Sequence, residues 1–223
     1  MKSSLKTFAL ASMTACALFG ITSQGTAQVA VGVDPSQNWI GFMNVFNLPA
    51  DGGGYQFGSA WGTSDLRASF AGNTLTLAPD INVWETTDTY WVKADGISPN
   101  KNMDANMYVQ NDALAGQNIT FFGETLANTL VSPYTITAFI KDFNASYSLV
   151  GSQTISLSSG QFFDINLATQ AGDHIQYGFE MIGPDANPAT AASLGLVQVV
   201  PEPSTLALLG LGLAAPFLVR RRK

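Results

Sequence analysis

The chain has 223 residues, a formal net charge of −6, and 46% hydrophobic against only 12% charged residues. That length suits one domain with flanking signals. Residues 28–200 keep four bases (Arg67, Lys93, Lys101 and Lys141) against twelve aspartates and Glu85, Glu124 and Glu180, a net −11; so acidic a body excludes an electrostatic footprint for nucleic acid.

Lys2 and Lys6 begin the chain with a basic stretch, and 8–21 is mostly apolar. Gly25-Thr26-Ala27 then offers small residues, which predicts a signal peptide over 1–27 with cleavage after Ala27. Cys16, the only cysteine, lies in the apolar stretch, and Met13-Thr14-Ala15 before it lacks the leucine of a lipobox. The mature body therefore has no disulfide and must hold together through its core.

Alternation of apolar and polar residues dominates the body, and helical periodicity is almost absent. Strands are expected at 39–46 and 55–61, separated by the breaker run Leu48-Pro49-Ala50-Asp51-Gly52-Gly53-Gly54. Segments 66–70 and 74–77 flank Ala71-Gly72-Asn73 as a tight hairpin. Shorter aromatic strands are expected at 81–84 and 89–93. Clearer ones follow at 102–109, 117–124, 134–143, 154–157, 161–167, 174–181 and 194–200. About eleven strands with frequent turns predict an all-β fold, a two-sheet antiparallel β-sandwich of the jelly-roll kind, over residues 28–200.

The end of the chain has a different grammar. Pro201-Glu202-Pro203 precedes a fourteen-residue apolar segment, 206–219, and then Arg220-Arg221-Arg222-Lys223. As a helix the segment is about 21 Å long, shorter than the roughly 30 Å core of a bilayer. Gly210, Gly212 and Pro216 weaken it further. The basic end favours the cytoplasmic side, which leaves the body outside. The motif, the short helix and the basic cluster in this order closely resemble the PEP-CTERM sorting signal of bacterial envelope and exopolysaccharide-associated proteins. The resemblance implies export, transient retention in the inner membrane and processing by an exosortase near Pro201, Glu202 and Pro203. It also implies an association with polysaccharide outside the cell, at the surface or in the matrix.

Within the body, residues 104–200 resemble more weakly the jelly-roll sandwiches used as carbohydrate-binding modules. The likeness rests on Leu114-Ala115-Gly116-Gln117 before Ile119-Thr120-Phe121-Phe122-Gly123, on 138–143, and on Gln176-Tyr177-Gly178-Phe179-Glu180. It is a likeness of fold and carries no ligand-binding residue with it.

The chemistry-bearing residues are few. His174 is the only histidine, with no Gly-x-Ser-x-Gly motif and no cysteine in the body to serve as its nucleophile. A zinc site of the usual kind is excluded on the same count. Glycoside hydrolysis needs two carboxyls about 5–10 Å apart; Glu85, Glu124 and Glu180 are the glutamates, and a solvated strand face accounts for Glu124 and Glu180. No cofactor is expected. Calcium stays open, because Asp51 beside three glycines, and Asp95, Asn100, Asn102 and Asp104 around Pro99, could supply oxygens, although such residues more commonly form turns. The aromatic residues Trp61, Trp84, Tyr90 and Trp91 are the ligand-binding candidates, since sugars stack on flat rings; the alternative is that they fill the core. The expectation is a non-enzymatic envelope or matrix protein, with a carbohydrate-binding module as the alternative and a glycoside hydrolase behind both.

Overall fold

The computed structural model describes residues 28–202, and every structural statement below refers to them. The expected signal peptide with its cleavage site at Ala27, Pro203, the apolar segment and the basic residues Arg220, Arg221 and Arg222 lie outside the described residues. No helix among the described residues is long and apolar enough to cross a membrane.

The chain forms twelve strands: β1 (Gln28–Gly32), β2 (Trp39–Asn47), β3 (Tyr55–Trp61), β4 (Ala68–Ala71), β5 (Thr74–Leu77), β6 (Lys101–Gln110), β7 (Asn118–Asn128), β8 (Thr135–Phe143), β9 (Leu149–Ser156), β10 (Gln161–Ala168), β11 (His174–Pro184) and β12 (Val197–Val200). They make two sheets, and the expected all-β sandwich is what the chain builds. One sheet is centred on β7, with β10 along one edge. Its other edge is shared end to end by β1, which pairs in parallel at 118–122, and β12, which pairs antiparallel at 124–128. β5 and β4 continue beyond β12. The second sheet runs β3-β2-β6-β11-β8-β9, antiparallel throughout.

Period-two alternation places one set of side chains between the sheets. From β11 these are Ile175, Tyr177, Phe179 and Met181; from β7, Ile119 and Phe121; from β12, Val197 and Val199. Phe121 joins the layers: its ring lies 5.3 Å from Phe163 on its own sheet, and 5.2 and 5.5 Å from Tyr177 and Phe179 opposite. Burying each such ring contributes about 1.5–3 kcal/mol. The β4–β5 hairpin forms at Gly72, whose φ of 58° suits glycine.

Two expected strands are not formed. Residues 81–84 and 89–93 lie in one long connection between β5 and β6, whose only ladder contact is the isolated bridge Val92–Pro99. The cause is local turn chemistry. Side-chain carboxylates take the amide two residues on: Asp80 from Asn82, Glu85 from Thr87, Asp88 from Tyr90 and Asp95 from Ile97. These bonds compete with a strand ladder.

Candidate functional site

The four expected aromatic residues do not form an exposed row. Trp61 ends β3, packs against the core and donates its indole N–H to Ser59 Oγ at 2.8 Å. Tyr90 and Trp91 sit in turns, so they do not point to opposite faces of a strand. Their rings meet edge to face at 4.8 Å, and both approach Phe57, at 6.4 and 6.1 Å. The Lys101 ammonium caps the Tyr90 ring at 4.3 Å. Together they close the sandwich along β3. Trp84 is half-buried in the same connection and joins neither group.

The residues considered as calcium donors are also dispersed. Asp51 faces Lys93 at 3.4 Å. Asp95 accepts the Ile97 and Ser98 amides, and Asn100 donates to the Thr89 carbonyl. No three His, Cys, Asp or Glu side chains among the described residues group closely enough to hold a metal. Glu124 on β7 and Glu85 in the long connection stand apart from the cluster described next. His174 binds Asp112 Oδ2 through Nδ1 at 2.8 Å.

The outer face of the second sheet gathers what the sequence keeps apart. Strand pairing sets Asn44 on β2 opposite Asp104 on β6, and Asn106 on β6 opposite Glu180 on β11. The Asn44 amide donates to Asp104 Oδ2 at 3.2 Å, and the Asn106 amide to Asp104 Oδ1 at 2.7 Å. Lys141 on β8 completes the row, with its ammonium 3.0 Å from Asn106 Oδ1 and 2.7 Å from Glu180 Oε1. Lys141 pairs in register with Gln176, four ladder pairs away from Glu180, so its side chain lies down along the face. On the way its ammonium passes over Phe139, 4.1 Å from the ring centre, and that outward-facing ring is fully buried.

Four strands thus contribute five polar side chains to one row. About a fifth of the Lys141 and Glu180 side chains stays open to solvent. Burial pushes the Asp104 carboxyl up to about 6; the Glu180 charge adds to this, and Lys141, Asn44 and Asn106 oppose it. Two tyrosines bracket the face. Tyr55, 60% exposed, stands at the β3 edge and leans over Gly58, where an added Cβ would fall 2.9 Å from its hydroxyl. Tyr147, 55% exposed, stands in the β8–β9 turn with φ of 56°. With strands about 4.8 Å apart, the six-stranded face is about 24 Å wide. No single stretch of sequence announces this site; the signal lay in polar residues at outward positions of β2, β6, β8 and β11, and became a row only once the strand order was set.

No curated protein and no solved structure matches the chain significantly. The last strand runs directly into the other functional element. Val199 is fully buried, Val200 pairs with Glu124, and Pro201 and Glu202 follow at once, half-buried. Residues 199–223 match the PEP-CTERM protein-sorting motif, so this is an exported β-sandwich that carries a PEP-CTERM signal for recognition and membrane-transient processing by an exosortase.

Proposed function

We propose that the sandwich, once released from the membrane, works at the cell surface or in the extracellular matrix as a non-enzymatic protein that holds exopolysaccharide. The row Asn44–Asp104–Asn106–Lys141–Glu180 between Tyr55 and Tyr147 carries this reading. Sugar hydroxyls both donate and accept hydrogen bonds. The row offers carboxylates as acceptors, the Lys141 ammonium as donor and the Asn44 carboxamide as both, with Asn106 buried among them and holding them in place, across a width suited to several sugar units. The tyrosine faces add stacking surfaces at its ends. The net −11 of the body disfavours strongly anionic polymers, so the ligand class is a neutral or weakly charged polysaccharide. Affinity electrophoresis of the purified chain through gels containing such polysaccharides tests it. Retardation that is lost on Tyr147→Gly or Glu180→Gln supports the proposal; unretarded migration on every polymer sinks it.

One observation favours a second reading. Asp104, with its pKa raised to about 6, lies two ladder pairs along from Glu180 on the neighbouring strand, on the same face. Glycosidases keep one carboxyl protonated beside an ionised one. The Lys141 ion pair ties up Glu180 and argues for a binding role instead. Release of reducing ends from a bound polysaccharide, abolished by Asp104→Asn, would replace the binding reading with hydrolysis.

A further inference from the structure

Two buried aspartates at one end of the sandwich keep carboxylate oxygens without partners. Asp185 follows Pro184 at the end of β11 and is 1% exposed, and neither of its carboxylate oxygens meets a hydrogen-bond donor. Asp80, in the connection after β5, is 5% exposed; its Oδ1 takes the Asn82 amide, and its Oδ2 is likewise orphaned. The backbone brings these residues together. The Ala186 amide donates to the Asp80 carbonyl at 2.8 Å, and the Asp185 amide to the Lys101 carbonyl at 3.0 Å. Beside Asp80 lies a cavity of about 10 Å³, walled also by Tyr134, Pro184, Met103 and Met181 and not reached by Asp185, which is room for roughly one water-sized sphere.

The nearby bases do not answer these carboxylates. Arg67 donates Nη1 to the Pro79 carbonyl at 2.9 Å. Lys101 directs its ammonium at the Asn100 carbonyl and the Tyr90 ring. Asp65 and Tyr134 also border the pair and bring no positive charge. Burial pushes Asp80 up to about 6 and Asp185 to about 7, the latter helped by the Asp80 charge. Orphaned buried carboxylate oxygens are costly. Three of them, on two aspartates whose backbones are joined through Ala186, offer the hard-oxygen donors that calcium uses.

We propose that Asp80 and Asp185 hold a calcium ion that fastens the β5–β6 connection to the end of β11. Asp185 supplies both carboxylate oxygens and Asp80 supplies Oδ2. Backbone carbonyls and water complete the shell. The site is independent of the polysaccharide reading, because its test reads metal and stability.

Thermal unfolding of the purified full-length chain is measured at neutral pH in EDTA and then with millimolar calcium chloride or magnesium chloride. Calcium is expected to raise the Tm by several degrees, and magnesium by less. Asp185→Asn and Asp80→Asn should each abolish the calcium shift, and Asp51→Asn should keep it. If the Asn variants do not fold, calcium titration of the unaltered chain by calorimetry decides: saturable binding of one ion supports the site, and no heat of binding overturns it. A Tm insensitive to calcium that rises in EDTA as the pH falls from about 7 to about 5 overturns it too, because the pair then shares a proton in place of a metal.

Discussion

Tyr147 lies flat on His174, with ring centroids 4.2 Å apart and planes 11° from parallel. The Gln110 amide donates to its hydroxyl at 3.1 Å, and Asp112 fixes His174 from the far side. A short turn is thereby held against the start of β11, although Tyr147, with φ of 56°, has a backbone conformation that costs a side-chain-bearing residue about 1–2 kcal/mol. An exposed aromatic ring kept in a strained position is the pattern of a recognition residue.

The strain gives a clean separation of stability from binding. Tyr147→Gly removes the ring and relieves the positive φ, whereas Tyr147→Ala removes the ring and keeps the strain. Polysaccharide retention should fall to the same extent in both. The glycine variant should unfold at the higher temperature, by about 1 kcal/mol in stability. Paired calorimetry and affinity electrophoresis check this, and retained binding in both variants would remove Tyr147 from the site.

Lys141 joins the Glu180 carboxylate to the Asn106 carboxamide and covers a ring. In Lys141→Ala, Glu180 loses its ion-pair partner, Asp104 loses a nearby opposing charge, and Phe139, now fully buried, is uncovered. A loss of about 2 kcal/mol is expected, between the near-zero worth of a surface pair and the cost of stranding a buried charge. Lys141→Met, which keeps a cover over the ring, should recover part of it. Urea unfolding of the two variants separates the packing contribution from the charge.

Asp104 makes the same row sensitive to pH. Its folded pKa, about 6, lies above the usual carboxylate value, so the native state holds this proton more tightly than the unfolded chain. The sign follows: stability falls as the pH rises from about 4 to about 6, and levels off above that. Asp80 and Asp185 act in the same direction up to about 7. Asp104→Asn removes one component and should raise the Tm at pH 7 more than at pH 4. The difference between the two Tm–pH curves isolates Asp104; a constant difference would contradict the assignment.

These predictions rest on a row that the sequence conceals. The strands themselves were legible: β3 runs over the expected 55–61, and β2, β6, β8, β10 and β11 lie within three residues of their expected ends. Alternation suffices there, since each strand buries one face. It could not reveal that β2 and β8 flank β6 and β11, because that order follows from packing and places Asn44 and Lys141 in a row although they lie almost a hundred residues apart. β1 escaped for a related reason: its parallel partner, β7, lies about ninety residues away, and a run of five residues carries little pattern. The aromatic segments of the long connection misled in the other direction. Trp84, Tyr90 and Trp91 suggested strands, but the aspartates and the glutamate beside them capped turns. The Asp-x-Asn, Glu-x-Thr and Asp-x-Tyr spacings were the readable signal.

The junction between sandwich and sorting motif sets a limit on processing. Val197 and Val199 are fully buried, and Val200 pairs with Glu124, where an added Cβ on the adjoining Gly123 would come within 3.0 Å of the Val200 carbonyl. Removal of everything after Glu202 leaves all four β12 residues in place, so such a chain should unfold within about 0.5 kcal/mol of the longer one. Removal from Val197 onward strips two buried valines, each contributing about 1.5–3 kcal/mol, and opens the ladders of β5 and β7. That chain should be largely unfolded, with its loss visible in far-UV circular dichroism and in amide exchange of β7. Gly123→Ala, which presses on Val200 and the Phe163 ring, should loosen the same junction and leave the rest of the sandwich intact. If the chain lacking β12 keeps its fold, then β12 is dispensable to the sandwich, and a cut well inside residue 200 becomes acceptable to the protein.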